Sequence, residues 1–339
     1  MYNFTFENPV NIVFGKNQML ELANLVPANS RILMVYGGGS IKQNGIYERV
    51  KSALSNFKIF EFGGIEANPQ YETLKLAIQK CKLEKIDFIL AVGGGSVIDG
   101  AKFISAAVNY PHNNYWHIVE GGSDFIQSAI KLGVVLTLPA TGSELNNGSV
   151  VSKKETQQKK YFISKHVYPK FAILEPEVTY SLPLRQLANG IVDPFIHITE
   201  FYLTTDLNTP IQDGFAETIL KTLITIAPNV ISRQKDYQIR ANWMWCASLA
   251  LHGIVGVGLD GDWATHMIGH AITSIYGLDH GQTLALVAPQ LWRLKKDKKA
   301  IKLLKYAKNV WNIDINDSET AIELAIKKTE DFFNSVGMK

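Results

Sequence analysis

DFILAVGGGSVIDGAK, residues 87–102, is the stretch that decides the fold of this chain. A continuous apolar run leads into a glycine cluster, and a helical pattern follows directly. A strand that is apolar along its whole length is buried on both faces, as in a parallel sheet covered by helices. Glycines at such a turn let backbone N–H groups approach a diphosphate, and the helix N-terminus adds partial positive charge. The stretch therefore predicts a diphosphate site, although a glycine-rich turn without a ligand would show the same pattern.

The same pattern recurs before and after this stretch. RILMVY precedes the glycines at 37–39, FKIFEF precedes Gly63, and GVVLTLPA precedes TGSE at 141–144. Strands alternating with helices predict an α/β N-terminal domain with a Rossmann-like parallel sheet over residues 1–178. Beyond FAILEP the alternation ends, and the remaining segments predict an all-α C-terminal domain over residues 179–339. Because no low-complexity linker or internal repeat separates the halves, we expect the two domains to pack closely around a cleft.

Composition narrows the classes of protein and partner. The chain has 339 residues and a net charge of +3, too small to favour nucleic acid or a membrane surface as the main partner. Two cysteines provide no disulfide framework, so the reducing cytoplasm is the expected location. The N-terminal FTFENPVNIVFG, residues 4–15, alternates like a strand or hairpin with an exposed edge. Since such edges are commonly covered by another subunit, a homodimer is expected.

YGGGS at 36–40 predicts which nucleotide is bound. A fold that binds NAD usually offers a carboxylate to the ribose hydroxyl, and none is present between Tyr36 and Ser40. Gly38 and Gly39 instead expose backbone N–H groups, Ser40 adds a hydroxyl, and Lys42 follows. These groups suit a 2′-phosphate, so the sequence favours NADP(H) over NAD(H).

Four side chains in the C-terminal half have spacings that suit one divalent metal ion. Asp193 and His197 are four apart, which places both on one face of a helix. His266 and His280 are fourteen apart, and Gly277 between them is expected to end a helix and return the chain. Three imidazoles and one carboxylate leave a coordination position open, as in catalytic sites. Ordinary surface or core roles fit the same spacings equally well.

Pro194 stands directly after Asp193. We expect it just inside the start of a helix, because the missing N–H of a proline would be unpaired there in any case.

Taken in order, GGGSVIDGAK, TLPATGSE, NGIVDPFIHITE, DWATHMIGH and YGLDHGQ resemble the iron-dependent (group III) alcohol dehydrogenase family. The likeness is greatest to its NADPH-dependent aldehyde reductase and butanol dehydrogenase branch. It implies a dehydroquinate synthase-like architecture in which a divalent metal and the nicotinamide meet. By this resemblance the metal, Fe²⁺ or Zn²⁺, is held by Asp193, His197, His266 and His280, and His270 lies near the nicotinamide.

The resemblance also implies the cofactor-binding residues. Lys159 is one of them, with Lys160 as the alternative because the match depends on counting back from Pro169. The full set is Gly37, Gly38, Gly39, Ser40, Gly93, Gly94, Gly95, Ser96, Asp99, Thr137, Thr141 and Lys159.

The implied function is reversible hydride transfer between NADPH and small to medium aldehydes. His270 would relay the proton, with a packing role as the alternative. A substrate pocket is expected around Trp243, Met244, Trp245 and Trp263, where ordinary core packing is the alternative. A dehydroquinate-synthase-like lyase is a second reading, but residues 241–291 lack the Lys and Arg that a polyanionic substrate needs. A third is an inactive, truncated remnant, since family members continue beyond the point where this chain ends.

Overall fold

The computed structural model describes residues 1–338, and Lys339, the last residue of the predicted second domain, lies outside them. The chain forms two compact units. One comprises residues 8–139 and 143–181, and the other comprises 1–7, 140–142 and the residues from Leu182 onward. The predicted boundary at 178/179 falls inside a 3-10 helix, Pro176–Ser181. The predicted domain limits stay a prediction.

The first unit is built on a parallel sheet. Its strands are β1 (Asn11–Phe14), β2 (Arg31–Tyr36), β3 (Lys58–Phe62), β4 (Phe88–Gly94), β5 (Lys131–Leu138) and β8 (Phe171–Leu174). Within residues 1–338 these six strands lie in the order β1-β8-β5-β4-β2-β3, and every neighbouring pair is parallel. β4 lies between β2 and β5 and is buried from Phe88 to Gly93, as its unbroken apolar run predicts. The predicted α/β, Rossmann-like sheet is confirmed.

Helices connect these strands. They are α1 (Leu22–Leu25), α2 (Ser40–Gln43), α3 (Ile46–Ala53), α4 (Tyr71–Leu83) and α5 (Gly95–Val108). α5 begins directly after β4 and is buried over most of its length, including the polar residues Asp99, Lys102 and Ser105. An antiparallel hairpin of β6 (Gly148–Lys153) and β7 (Gln158–Ile163) completes the unit.

The N-terminal segment 4–15, expected to form a strand or a hairpin, forms the strand β1 without a hairpin. Residues 1–10 form no strand, and the strand that follows, β1, pairs with β8 in parallel. Pro9 cannot donate to a ladder and separates the two segments. Residues 1–7 instead belong to the helical unit, where the Tyr2 N–H donates to the Gly258 carbonyl at 3.0 Å.

The second unit is helical, and its predicted all-α character is confirmed. Its helices are α6 (Leu184–Tyr202), α7 (Pro210–Ile231), α8 (Tyr237–Ala250), α9 (Ala264–Tyr276), α10 (His280–Leu294), α11 (Lys296–Trp311) and α12 (Ser318–Ser335). Their apolar faces share one core, in which Phe195, Trp243 and Phe333 are almost completely buried. None of the helices in residues 1–338 has the length and apolar character required to cross a bilayer.

Candidate functional site

The four predicted metal ligands meet inside the helical unit. Asp193 and His197 lie one turn apart on α6, His266 lies on α9, and His280 is the first residue of α10. The Nε2 atoms of the three histidines lie 3.5, 3.8 and 3.8 Å from Oδ1 of Asp193. Ligands at about 2.1 Å from a tetrahedral ion are roughly 3.4 Å apart, so these separations fit a single ion.

Two of these atoms are buried without a hydrogen-bond partner among residues 1–338. They are Oδ1 of Asp193 and Nε2 of His266. Unpaired buried polar atoms are costly, and a cation would satisfy both. Asp193, His266 and His280 form the group whose ligand atoms all lie within 4.8 Å of one another. The His197 ring stacks on the His266 ring, with centroids 4.5 Å apart, and its role as a fourth ligand stays a prediction.

The charges in the cluster are strongly coupled. Burial raises the pKa of Asp193, but the imidazoles of His197, His280 and His266 outweigh it and hold that pKa well below its usual range. Burial lowers the pKa of His197 to about 4, although Asp193 opposes the shift. Burial also lowers the pKa of His266, but the nearby carboxylates of Asp193 and Glu200 raise it by more, and the net shift is upward. A carboxylate is thus kept ionised beside a neutral imidazole, which is the state that binds a cation.

Pro194 lies well inside α6, ten residues after its first residue, so the expectation of a position near the helix start is wrong. Because proline has no N–H, the carbonyl of Gly190, four residues earlier, loses its helical donor. The indole Nε1 of Trp243 donates to that carbonyl instead, at 2.7 Å. Trp243 therefore replaces the missing backbone donor immediately before Asp193. Trp243 and Met244 are buried in the core, as the core-packing alternative predicts.

A tight turn brings His280 back toward Asp193. Gly277 ends α9 with a φ of +69°, a left-handed conformation that favours glycine. Asp279 then precedes α10 and binds α6 through Arg185 and through Asn189, whose Nδ2 donates to Oδ2 of Asp279 at 3.0 Å. The predicted helix end and chain return are confirmed.

Two further side chains border the cluster. Trp263 has a φ of +56° and packs edge-on against His266, with ring centroids 5.4 Å apart, and it also contacts His197. Its role in a substrate pocket stays a prediction, but its ring borders the metal cluster. His270 is half-buried, and its ring centroid lies 4.9 Å from that of His280.

Sequence inspection missed Glu200, a buried carboxylate on α6 that contacts His266. Its position seven residues after Asp193, two turns along the same helix, is a signal that could have found it.

The glycines at 93–95 lie where β4 gives way to α5, in the other unit. A Cβ on Gly93 would lie 2.5 Å from Cγ2 of Val97, so only glycine fits there. Ser96 lies in the first turn of α5, and its hydroxyl accepts the backbone N–H of Asn68 at 3.2 Å. This geometry supports the predicted diphosphate turn.

Asp99 is buried and held by the protein itself. Its carboxylate accepts the Ser143 hydroxyl at 2.8 Å and the Val150 N–H at 3.0 Å. Lys102 is buried one turn later and donates to Oδ1 of Asn146 and to the Gly148 carbonyl. These contacts join α5 to the chain that follows β5, so Asp99 helps to fix the position of the helix that follows the glycine turn. Direct contact between Asp99 and the cofactor stays a prediction.

The two lysines predicted as alternative cofactor-binding residues, Lys159 and Lys160, are neighbours on β7 of the hairpin. Neighbouring residues on a strand point to opposite faces. Lys159 Nζ donates to Oδ1 of Asn68 at 2.9 Å, next to Ser96, whereas Lys160 Nζ lies 3.4 Å from Glu120. The structure supports Lys159 as the residue beside the glycine turn.

The loop at 37–40 is open. No heavy atom of the described chain would lie within 4 Å of a Cβ on Gly38 or on Gly39, and Gly39 has a φ of +100°. Ser40 is exposed and begins α2. Lys42 lies beside the Tyr36 ring, 5.1 Å from its centroid.

A carboxylate near this loop escaped the sequence inspection. Glu61 on β3 accepts the hydroxyls of Tyr47 at 2.6 Å and of Tyr36 at 3.2 Å. Lys42 and Lys51 lie 3.8 and 3.6 Å from it. Burial raises the pKa of Glu61, but these hydroxyls and ammonium groups lower it by a larger amount, so the net shift is downward. The ammonium groups of Lys42 and Lys51 thus offset the Glu61 carboxylate beside this loop.

The two predicted threonines lie in different units. Thr137 belongs to β5 near the carboxyl end of the sheet, whereas Thr141 belongs to the segment 140–142, which is part of the helical unit. Their roles stay predictions.

Both parts of the chain match models of a single family. Residues 9–176 match "Iron-containing alcohol dehydrogenase", and residues 187–339 match "Fe-containing alcohol dehydrogenase family, C-terminal". The chain belongs to the iron-containing alcohol dehydrogenase family. In this alcohol dehydrogenase, Asp193, His266 and His280 hold the divalent metal.

Relatives with assigned activities are similar over the whole chain. The NADPH-dependent aldehyde reductase YqhD of Escherichia coli is 50% identical over 339 residues, which is 100% of this chain and 88% of the relative. The NADP-dependent alcohol dehydrogenase 3 of Entamoeba histolytica is 41% identical over 100% of this chain and 88% of its own. The crystal structure of E. coli YqhD superposes with a TM-score of 0.98 at 50% identity, covering 99% of this chain and 87% of that one.

Proposed function

We propose that this alcohol dehydrogenase catalyses the reversible reduction of small to medium aldehydes by NADPH. It is an NADP(H)-dependent aldehyde reductase, in keeping with relatives that match its full length. The observation that carries the proposal is the arrangement of the three histidine Nε2 atoms around one buried oxygen of Asp193. Fe²⁺ and Zn²⁺ both suit such nitrogen and oxygen ligands.

Reduction consumes one aldehyde, one NADPH and one proton, and yields the alcohol and NADP⁺. A divalent metal held here would supply Lewis acidity to the carbonyl oxygen, and NADPH would supply the hydride. Asp193, His266 and His280 hold the ion, and we propose His197 as its fourth ligand. The N–H groups of the turn at 93–96 bind the diphosphate, and those of Gly38 and Gly39, with Ser40, bind the 2′-phosphate.

His270 delivers the proton to the product oxygen in this proposal. It lies one turn after His266 on α9, and its ring borders that of His280 without belonging to the three-residue metal group. Because it is half-buried, it can exchange protons with solvent. A positioned general acid contributes typically about a hundredfold or more to the rate.

Uncharged substrates fit the helical unit best. Residues 241–291 contain neither Lys nor Arg, and Trp263 presents an apolar ring beside the ligands. A phosphate or carboxylate on the substrate would lack a partner in that segment. The family assignment also leaves the lyase reading without support.

The deciding experiment follows NADPH oxidation with butanal and a panel of longer aldehydes. The protein is tested after chelation and again after addition of Fe²⁺ or Zn²⁺. We expect no turnover in the chelated protein and recovery with one of the two metals. Tight metal binding without turnover on any aldehyde would contradict the proposal and support an inactive remnant.

Replacing His270 tests its role separately. His270→Gln is expected to lower turnover about a hundredfold or more while the bound metal stays at the wild-type level. His252→Gln is the matched control, because His252 lies in the same unit and packs against Phe6 instead. Full turnover in His270→Gln with metal bound would remove the proton-relay role.

A homodimer is also proposed. β1 lies at the edge of the sheet, where β8 covers one of its two sides within the described chain. An open edge is commonly covered by another subunit. Light scattering on the purified protein is expected to give twice the mass of the chain. The cytoplasmic location stays a prediction.

A further inference from the structure

Glu200 makes an unusual pair of contacts with one metal ligand. It lies on α6 two turns after Asp193 and is 4% exposed. Its Oε1 accepts the backbone N–H of His266 at 3.1 Å and faces the ring Nδ1 of the same residue at 2.9 Å. One oxygen therefore fixes both the main chain and the ring of His266.

These contacts decide which ring nitrogen carries the proton. A carboxylate oxygen that accepts the backbone N–H also accepts from the ring, so Nδ1 is the protonated nitrogen. The lone pair then lies on Nε2, the atom 3.8 Å from Oδ1 of Asp193. That Nε2 has no hydrogen-bond partner among residues 1–338, as expected of an atom that faces a cation.

We propose that Glu200 is a positioning residue that fixes the Nδ1–H tautomer of His266 and directs its Nε2 at the metal. Histidine ligands generally donate their second N–H to a carboxylate or carbonyl, which orients the ring and raises its basicity. The Glu200 main chain adds to this, since its carbonyl accepts the Asp262 N–H at 3.0 Å and ties the segment before α9 to α6. The proposal rests on the proposed metal-dependent function in one respect, which is that His266 is a metal ligand.

A purely structural role makes a different prediction. His266 is the third residue of α9, so Glu200 also satisfies one of the free N–H groups at the start of that helix. A residue that served only as a helix cap would affect thermal stability and leave the metal environment unchanged. The test therefore needs a readout of the metal itself.

The experiment measures Co²⁺ binding to the full chain without NADPH or aldehyde. Three variants are compared with the wild type: Glu200→Leu, which removes the acceptor, Glu200→Gln, which keeps an acceptor oxygen, and Glu217→Leu. The last is the matched control, because Glu217 is a partly buried carboxylate of the same unit that accepts two hydrogen bonds, from Tyr202 and Asn309. The readouts are the Co²⁺ dissociation constant, from competition with a chelator, and the visible absorption spectrum of the bound ion.

We expect Glu200→Leu to weaken Co²⁺ binding about 10- to 100-fold and to alter its spectrum. Glu200→Gln should restore the spectrum and most of the affinity, and Glu217→Leu should lower the melting temperature alone. Wild-type affinity and spectrum in Glu200→Leu would overturn the proposal, as would a Gln variant as weak as the Leu variant. Failure of the wild type to bind Co²⁺ at all would instead count against the metal-dependent function.

A second measurement covers the case in which Glu200→Leu does not fold. Nitrogen-15 NMR of the Zn²⁺-loaded wild type, labelled at histidine, reports which ring nitrogen of His266 is protonated. His266→Gln assigns the signal. A proton on Nδ1 with the metal on Nε2 is expected, and the reverse assignment would overturn the proposal.

Discussion

Gly38→Asp is the substitution that most directly tests how this protein selects NADPH. Gly38 is exposed, lacks the left-handed φ of Gly39, and has no heavy atom of residues 1–338 within 4 Å of where its Cβ would lie. An added side chain therefore enters open space without disturbing the fold. The new carboxylate would lie where the 2′-phosphate is predicted to bind.

The magnitude follows from the charges. A phosphate monoester carries close to two negative charges, and a carboxylate at roughly 5 Å in a water-like medium repels it by about 1.7 kcal/mol. This corresponds to roughly a 15-fold rise in the NADPH dissociation constant. NADH has no such phosphate, and its ribose hydroxyls can donate to the new carboxylate, so its dissociation constant should stay within a few-fold.

Calorimetric titration with NADPH and with NADH checks this expectation. Gly38→Ala fills the same space without charge and should leave the ratio of the two dissociation constants at the wild-type value. Raising the salt concentration should reduce the effect of the aspartate, because the loop is exposed. An unchanged ratio in Gly38→Asp would refute the assignment of the 2′-phosphate to this loop.

Three further predictions concern the metal, the buried lysine and the glycine turn. Asp193→Asn should lose more than the 10- to 100-fold in metal affinity that is typical of removing a ligand's partner. Metal content by mass spectrometry should fall while the NADPH dissociation constant stays unchanged. Burial lowers the pKa of Lys102 from 10.5 to about 8, against the opposing effect of Asp99. Between pH 8 and 10.5 the unfolded chain therefore binds a proton at Lys102 that the folded chain does not. The free energy of unfolding should rise by up to about 3 kcal/mol across this range. Urea unfolding should show this rise in the wild type. Lys102→Met lacks the titrating group, so the difference in unfolding free energy between the wild type and this variant should change by the same amount. Gly93→Ala places a Cβ 2.5 Å from Val97 and should cost about 1–3 kcal/mol of stability in the same assay and weaken NADPH binding.

Local sequence patterns predicted the sheet well, because strands buried on both faces have continuous apolar runs. RILMVY is β2 residue for residue, and the glycine turn after β4 begins α5. The hairpin of β6 and β7 was missed because β7, QKKYFI, is largely polar and has no such run.

The metal cluster was predictable in part, since i, i+4 spacing and a glycine helix end are local signals. The contacts that support it were not. Glu200 acts on a residue 66 positions later, and Trp243 on Gly190, 53 positions earlier, so only the packing of the helices reveals them. Glu61 likewise lies on a neighbouring strand, outside residues 36–40, and contacts Tyr36 at the start of the predicted nucleotide loop.

The pairing of β1 with β8 has a consequence for how the protein is made. Asn11–Phe14 pairs with Phe171–Leu174, so the first strand synthesised cannot pair until the last strand of the sheet has been made. At about 5–20 residues per second, that delay is roughly 8–30 seconds. During synthesis the edge of β5 that β8 later covers is also exposed, and such edges promote aggregation. Because the exposure lasts longest where translation is slowest, yield in a slowly translating host is expected to depend on chaperones that hold the nascent chain until residue 174 has left the ribosome.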